Sequence, residues 1–176
     1  SRKSGSPAVS VCIVTYNSVK DIEDCLYALR KQSFPLASIV VVDNASTDGT
    51  RDVLARFDDI RLILNERNNG FAGGQNQAIA ASAPSDYVLV LNPDVSLDPD
   101  YLAEIVAVME RDPRIGSATG MLVRADSPET MDSAGLVLRK DRNAADLAAG
   151  EPVADWTSPR EIFGVSGAAA VYRRAM

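Results

Sequence analysis

Four short, mostly apolar runs punctuate the first half of the chain, each rich in β-branched residues and each followed by an amphipathic stretch. Ala8 to Thr15 is the first run. "VVVDN" after Ile39 is the second, "RLILN" at 61–65 the third and "YVLVLN" at 87–92 the fourth. Their length and composition predict strands. Between them, apolar residues recur at helical spacing over about Val19–Gln32, Gly49–Phe57 with Asp48 as its cap, and Ala72–Ser82. A fourth helix is predicted after Asp98, with Asp98 as cap, Pro99 as its first residue, and Leu102, Ile105, Val106 and Met109 as its buried stripe.

This β-α-β-α-β-α-β alternation predicts a mostly parallel, doubly wound α/β sheet covered on both faces. Such sheets bind ligands beyond the carboxyl ends of their strands, where strand order reverses. The strand ends therefore define where chemistry is to be sought: "TYN" (15–17), "DNASTDGT" (43–50), "NERNNGFAGG" (65–74) and "NPD" (92–94). After about Gly116 the regularity fades. "GSATGMLVR" and "SAGLVLRK" are candidate fifth and sixth strands, 141–159 is a long surface loop, and "AVYRR" closes the chain as a strand.

At 176 residues, with 46% apolar and 24% charged positions, the chain suits one globular domain over residues 8–176. Residues 1–7, "SRKSGSP", are a polar tail or expression scar. The net charge of −6 argues against broad contact with nucleic acid or an anionic membrane. No apolar run approaches the roughly 20 residues that span a bilayer. Cys12 and Cys25 both fall on apolar faces and read as buried thiols, which suits the reducing cytoplasm. The sequence contains no histidine, so mechanisms built on an imidazole base or ligand within this chain are excluded.

Candidate chemistry sits at the strand ends. Asp43 terminates "IVVVD", where a carboxylate can accept a hydrogen bond from a base N–H or a ribose hydroxyl; the Ser-Thr-Asp-Gly that follows reads first as a turn and helix cap. A receiver-type domain would need an acidic pair after its first strand, and "VTYN" offers none. A phosphatase pattern would need a second aspartate two residues after Asp43, where Ala45 stands. "NNGFAGGQN" opens a helix with glycines. It fits backbone amides meeting ligand oxygens about as well as a loop that needs positive φ at Gly70 and a tightly packed helix start. In "LNPDV", Pro93 ends the ladder and aims Asp94 out of the sheet, where it is either a solvated turn residue or a ligand for a hard divalent cation held with phosphate oxygens. Taken with Asp43 and "TYN", the cation reading gains weight, and both carboxylates are expected to open into one cleft.

In "VTYN", "VVVDNASTDGT", "NNGFAGGQNQAI", "VLVLNPDV" and "SGAAAVYRR", in that order, the chain resembles the family 2 glycosyltransferases, inverting enzymes of the GT-A (nucleotide-diphospho-sugar transferase) fold. The "NPD" form is similar to a bacterial rhamnosyl- and galactofuranosyl-type subset that builds cell-wall and surface polysaccharides. By that resemblance Thr15, Tyr16 and Asn17 line the nucleotide, Asp43 binds the base, and Asn69, Gly70 and Asn76 flank its pocket. Asp94 takes the metal-binding position of the Asp-x-Asp motif for Mg2+ or Mn2+, while Asn92 replaces the first aspartate and serves the ribose or a metal-bound water. Gly167, Ala168 and Ala169 leave room for the donor sugar or the acceptor.

The resemblance implies a dTDP- or UDP-linked donor, with rhamnose as the sugar, and a saccharide or lipid-linked saccharide acceptor. A lipid-linked acceptor would bring the enzyme to the inner face of the membrane through parts outside these residues. Transfer would proceed by direct displacement with inversion. The resemblance puts the catalytic base in an acidic segment beyond Met176, and assigns it to none of Asp126, Asp132, Asp141 and Asp155. These residues alone are therefore expected to bind nucleotide and metal but to turn over poorly. The competing reading is a non-catalytic nucleotide-binding module of a larger assembly.

Overall fold

The computed structural model describes residues 7–175. Strand β1 (Val9–Thr15) leads through helix α1 (Ile22–Arg30) to β2 (Leu36–Asp43), and α2 (Thr50–Leu54) leads to β3 (Arg61–Leu64). Helix α3 (Gly70–Ala81) then precedes β4 (Tyr87–Leu91), and α4 (Tyr101–Arg111) follows it. The second half is built from short strands: β5 (Ser117–Thr119), β6 (Leu122–Arg124), β7 (Ser127–Ser133), β8 (Leu136–Leu138) and β9 (Ala144–Asp146). A 3-10 turn (Val153–Asp155) and strand β10 (Ala169–Arg173) complete it.

The main sheet has six strands in the order β3-β2-β1-β4-β10-β5. The pairs β3–β2, β2–β1 and β1–β4 are parallel, whereas β10 runs antiparallel to both β4 and β5. Chain order runs outward from β1 in both directions, so the reversal falls between β1 and β4. Register then fixes which residues meet there. Thr15 pairs with Asp43, and Ile13 pairs with Leu91. Counting two residues on from Leu91, the "NPD" turn lies level with Thr15 and Asp43.

Strand alternation sends each strand's side chains to two different cores. Val9, Val11, Ile13, Leu89 and Leu91 meet the buried stripes of α1 (Ile22, Leu26, Leu29) and α4 (Leu102, Val106, Met109) on one face. Cys12, Val14, Val40, Val42 and Val88 meet Ala78 of α3 on the other. Helix α3 comes close because Gly74 has no side chain: a Cβ there would stand 2.8 Å from both γ carbons of Val14. The glycine-rich run is thus, at this position, a packing device.

Several expected boundaries move. Pro99 lies outside α4, whose N-cap is Asp100; the Asp98 side chain instead accepts the Asp100 amide at 3.1 Å in a turn that precedes the helix. The single strand expected over 116–124 breaks at Gly120 into β5, which joins the main sheet, and β6, which pairs with β7. A Cβ at Gly120 would meet the Tyr101 ring at 2.5 Å, so the chain must turn there against that aromatic. The surface loop expected over 141–159 contains β9, paired with β8, and the 3-10 turn.

Candidate functional site at the strand ends

The loop after β1 and the loop after β2 are tied together by side chains capping backbone. The Asn17 amide donates to Ser46 Oγ at 2.9 Å, and Asn17 Oδ1 accepts the Thr47 amide at 2.9 Å. The Ser18 amide donates to Thr50 Oγ1 at 2.8 Å, and the Val19 amide to Asp48 Oδ2 at 3.1 Å. Asn17 adopts φ 54°, a left-handed conformation that asparagine tolerates better than most residues. Its side chain therefore holds the loop. Tyr16, 53% exposed, is left projecting from the end of β1.

Asp43 stands at the end of β2 as expected, but it is not open. Its exposure is 0% and its carboxylate is filled. Oδ1 accepts Thr15 Oγ1 at 3.2 Å, and Oδ2 accepts both the Ser46 amide at 3.1 Å and Arg51 Nε at 2.6 Å. Burial pushes the Asp43 carboxyl up, but hydrogen bonds from Ser46, Arg51 and Thr15 outweigh it and hold the group below its usual range. The carboxylate expected from the sequence to meet the base is thus buried and engaged by Thr15, Ser46 and Arg51, of which Arg51, 38% exposed, is the partner nearest to solvent.

Arg51 itself was not among the expected site residues. It follows the turn residues as part of a short helix, and no spacing marks it. Besides Asp43 it grips the carbonyl oxygen of Asn65 at 2.6 Å, joining the ends of β2 and β3. Behind it runs an amide network. Asn44 donates to Gly70 O at 3.1 Å and accepts Asn65 Nδ2 at 2.8 Å, and Asn65 is paired in turn with Gln77. Leu64, Asn65, Glu66, Arg67 and Asn69 line a recess of about 580 Å³ there.

Gly70 takes φ 73°, as its place in the loop requires, and its amide donates to Asn68 Oδ1 at 2.8 Å. Asn69 is exposed and receives Arg67 Nε at 3.3 Å. Asn76 is exposed on the side of α3 that carries Ala72 and Ala80, away from the Gly74–Ala78 line packed on the sheet. Neighbouring Gln75 is 5% exposed and donates to Cys12 O at 3.4 Å; its carbonyl oxygen has no partner among the described residues, and nothing in the fold explains it.

At the end of β4, the Asn92 amide donates to Ala168 O at 2.8 Å, and Asn92 O accepts Cys25 Sγ at 3.7 Å and the Val95 amide at 3.3 Å. That turn leaves Asn92 half-buried and Asp94 exposed. Two strand spacings, on the order of 10 Å, separate the β2 and β4 ends. Gly167 faces open space and Ala168 is half-buried beside the turn. Ala169 is different: it is fully buried, opposite Leu91 in the core, so it lines no pocket. The physical reason is that β10 begins there and directs its side chain into the sheet's packed face.

No cluster of three acidic, cysteine or histidine side chains able to hold a metal occurs among the described residues. One exposed carboxylate, Asp94, suits Mg2+ or Mn2+ only when phosphate oxygens and water supply the remaining ligands. The donor set therefore fits an ion shared with a diphosphate, not a resident one. Burial, then the charge of Asp94, pushes the Cys25 thiol to about 12, and burial pushes Cys12 to about 11, so both are inert structural thiols. Among the described residues, no helix is long and apolar enough to cross a membrane.

The strand order and the polar strand ends define a GT-A architecture. The chain superposes on the mannosyltransferase PcManGT from Pyrobaculum calidifontis, solved with GDP-Man and Mn2+, with a TM-score of 0.66 at 24% identity. The superposition covers 98% of this chain and 46% of that one. Residues 10–176 match glycosyl transferase family 2, and the chain belongs to that family. It is 32% identical over 130 residues to TuaG of Bacillus subtilis, named for teichuronic acid biosynthesis, covering 72% of this chain and 51% of that protein. It is 33% identical over 125 residues to the N-acetylglucosaminyl-diphospho-decaprenol L-rhamnosyltransferase of Mycobacterium tuberculosis, covering 65% of this chain and 40% of that enzyme. The chain thus spans about half the length, or less, of these relatives.

Proposed function

We propose that these residues form the donor-binding part of a metal-dependent inverting glycosyltransferase acting in bacterial cell-wall or surface polysaccharide synthesis. The donor is a nucleoside-diphosphate sugar, with rhamnose from a dTDP or UDP carrier as our reading, and the acceptor a saccharide or lipid-linked saccharide. The observation that carries this is the "NPD" turn. It projects exposed Asp94 level with the other strand ends, at the point where strand order reverses. The rhamnosyl assignment is supported by the mycobacterial relative, and a divalent ion by the Mn2+ reported with PcManGT.

In this mechanism Asp94 would hold Mg2+ or Mn2+ together with the diphosphate, and Asn92 would serve the ribose or a metal-bound water. The ion, when bound, would supply positive charge against the negative charge that develops on the departing diphosphate. Tyr16 offers its exposed ring beside the nucleotide, and the latched loops keep Thr15 and Asn17 from moving as it binds. Gly167 and Ala168 leave space beside Asn92 for the sugar. Direct displacement at the anomeric carbon needs no protein nucleophile.

Calorimetry with UDP and dTDP, with and without Mn2+, tests the reading. We expect Mn2+-dependent binding that Asp94→Ala weakens about tenfold or more, with the melting temperature unchanged because Asp94 is exposed. Equal affinities in the variant would refute it. The second reading is a nucleotide-binding unit that transfers no sugar unaided; a transfer assay with nucleotide sugars separates the two.

A further inference from the structure

We infer that Gln32 is a positioning residue for Asp94: by clamping the far end of the β4–α4 loop to the end of α1, it fixes where that carboxylate stands. This rests on the donor-site reading above and adds to it a residue that lies outside the strand ends. A helix is normally capped by the side chain of its own N-cap residue, which accepts an amide of the first turn. Helix α4 lacks that bond: its N-cap, Asp100, makes no such contact, and Asp100 Oδ1 instead accepts Ser33 Oγ at 2.7 Å. The missing cap comes from Gln32, just beyond α1. Its Oε1 accepts the Leu102 amide at 3.1 Å, while its Nε2 donates to Asp98 O at 2.7 Å. With the Ser33 amide donating to Pro99 O at 2.8 Å, four hydrogen bonds tie residues 32–33 to residues 98–102.

The near end of the same loop is held by the same helix. Asn92 O accepts Cys25 Sγ of α1 at 3.7 Å, and the Asn92 amide donates to Ala168 O at 2.8 Å. Between the two ends, Leu97 is buried in the core and Val95 packs against it. At a rise of about 1.5 Å per residue, Cys25 and Gln32 grip the loop at points roughly 10 Å apart along the helix axis. Exposed Asp94 is carried between those grips. Without the Gln32 side chain, the Leu102 amide and the Asp98 carbonyl oxygen lose their partners, and the loop must shift to find others. A carboxylate that shares an ion with phosphate oxygens has to stand at a fixed distance from them, so such a shift falls on metal-dependent affinity.

The test measures UDP and dTDP affinity with Mn2+ by calorimetry for the wild type, Gln32→Met, Asp94→Ala and the double variant. Methionine matches glutamine in length, but it cannot donate to Asp98 O and is a poor acceptor for the Leu102 amide. We expect Gln32→Met to weaken binding by about tenfold, as loss of a residue that orients a metal ligand does. In the double variant the losses should not multiply: its affinity should lie within about twofold of that of Asp94→Ala, because Gln32 acts through that carboxylate. If Gln32→Met does not fold, Ser33→Ala, which removes the bond to Asp100 alone, should lose about threefold and show the same non-additivity with Asp94→Ala. Wild-type affinity in whichever variant folds, or losses that multiply in its double variant, would overturn the assignment while leaving the donor site intact. Absence of Mn2+-dependent binding by the wild type would instead remove the donor-site reading itself.

Discussion

Replacing Asp43 by alanine isolates the energetics of the site's buried corner. The substitution strands two groups that cannot turn to water: the hydroxyl of Thr15, which is fully buried, and the amide of Ser46, which is nearly so. Each stranded donor costs about 1–3 kcal/mol. Arg51, 38% exposed, can swing outward and contributes little. Allowing for partial relaxation, a loss of about 3 kcal/mol is expected, or about 6–12 °C in melting temperature for a chain of this size. Urea titration should show a lower midpoint at unchanged slope. The pH dependence supplies a second signature. Because the folded-state value lies below the ordinary 3.8, the stabilisation is fully present above that pH and is lost as pH falls through the folded value. The wild type should thus lose stability on acidification below about pH 4 more steeply than Asp43→Ala. A variant within 0.5 kcal/mol of the wild type (roughly the scatter of surface substitutions), with superimposed acid limbs, would show that the carboxylate is solvated and the reasoning wrong.

Gly74→Ala should destabilise by about 1–3 kcal/mol in thermal or urea unfolding, because its Cβ would stand 2.8 Å from both Val14 γ carbons within a packed face. Ala80→Gly, on the exposed side of the same helix, should cost no more than about 1 kcal/mol. Cys12 and Cys25, raised to about 11 and about 12, should resist a thiol reagent at pH 8 in the folded protein and react on unfolding, as read by mass spectrometry.

Local sequence determined the first half of the fold because burial on both faces leaves little choice of pattern. "VSVCIVT", "IVVVD" and "YVLVL" are short, β-branched runs that read as interior strands, and the helical stripes between them supply the crossovers of a parallel sheet. It also determined that Asp94 would leave the sheet, since Pro93 cannot continue a ladder. The second half was less legible. Strands of three residues, such as β6, β8 and β9, carry too short a pattern to announce themselves, and their pairing is decided by contacts distant in sequence.

What only the tertiary structure decided is which polar groups face outward. Asp43 and Asp94 are the same residue type at comparable strand ends, yet one is sealed by Thr15, Ser46 and Arg51 and the other stands in solvent. Ala168 and Ala169 are adjacent and chemically identical, yet strand pairing buries the second in the core. A sequence specifies which groups can bond, but the partners that occupy them come from segments folded in from elsewhere. Exposure at a site is therefore a property of the assembled neighbours, not of the residue.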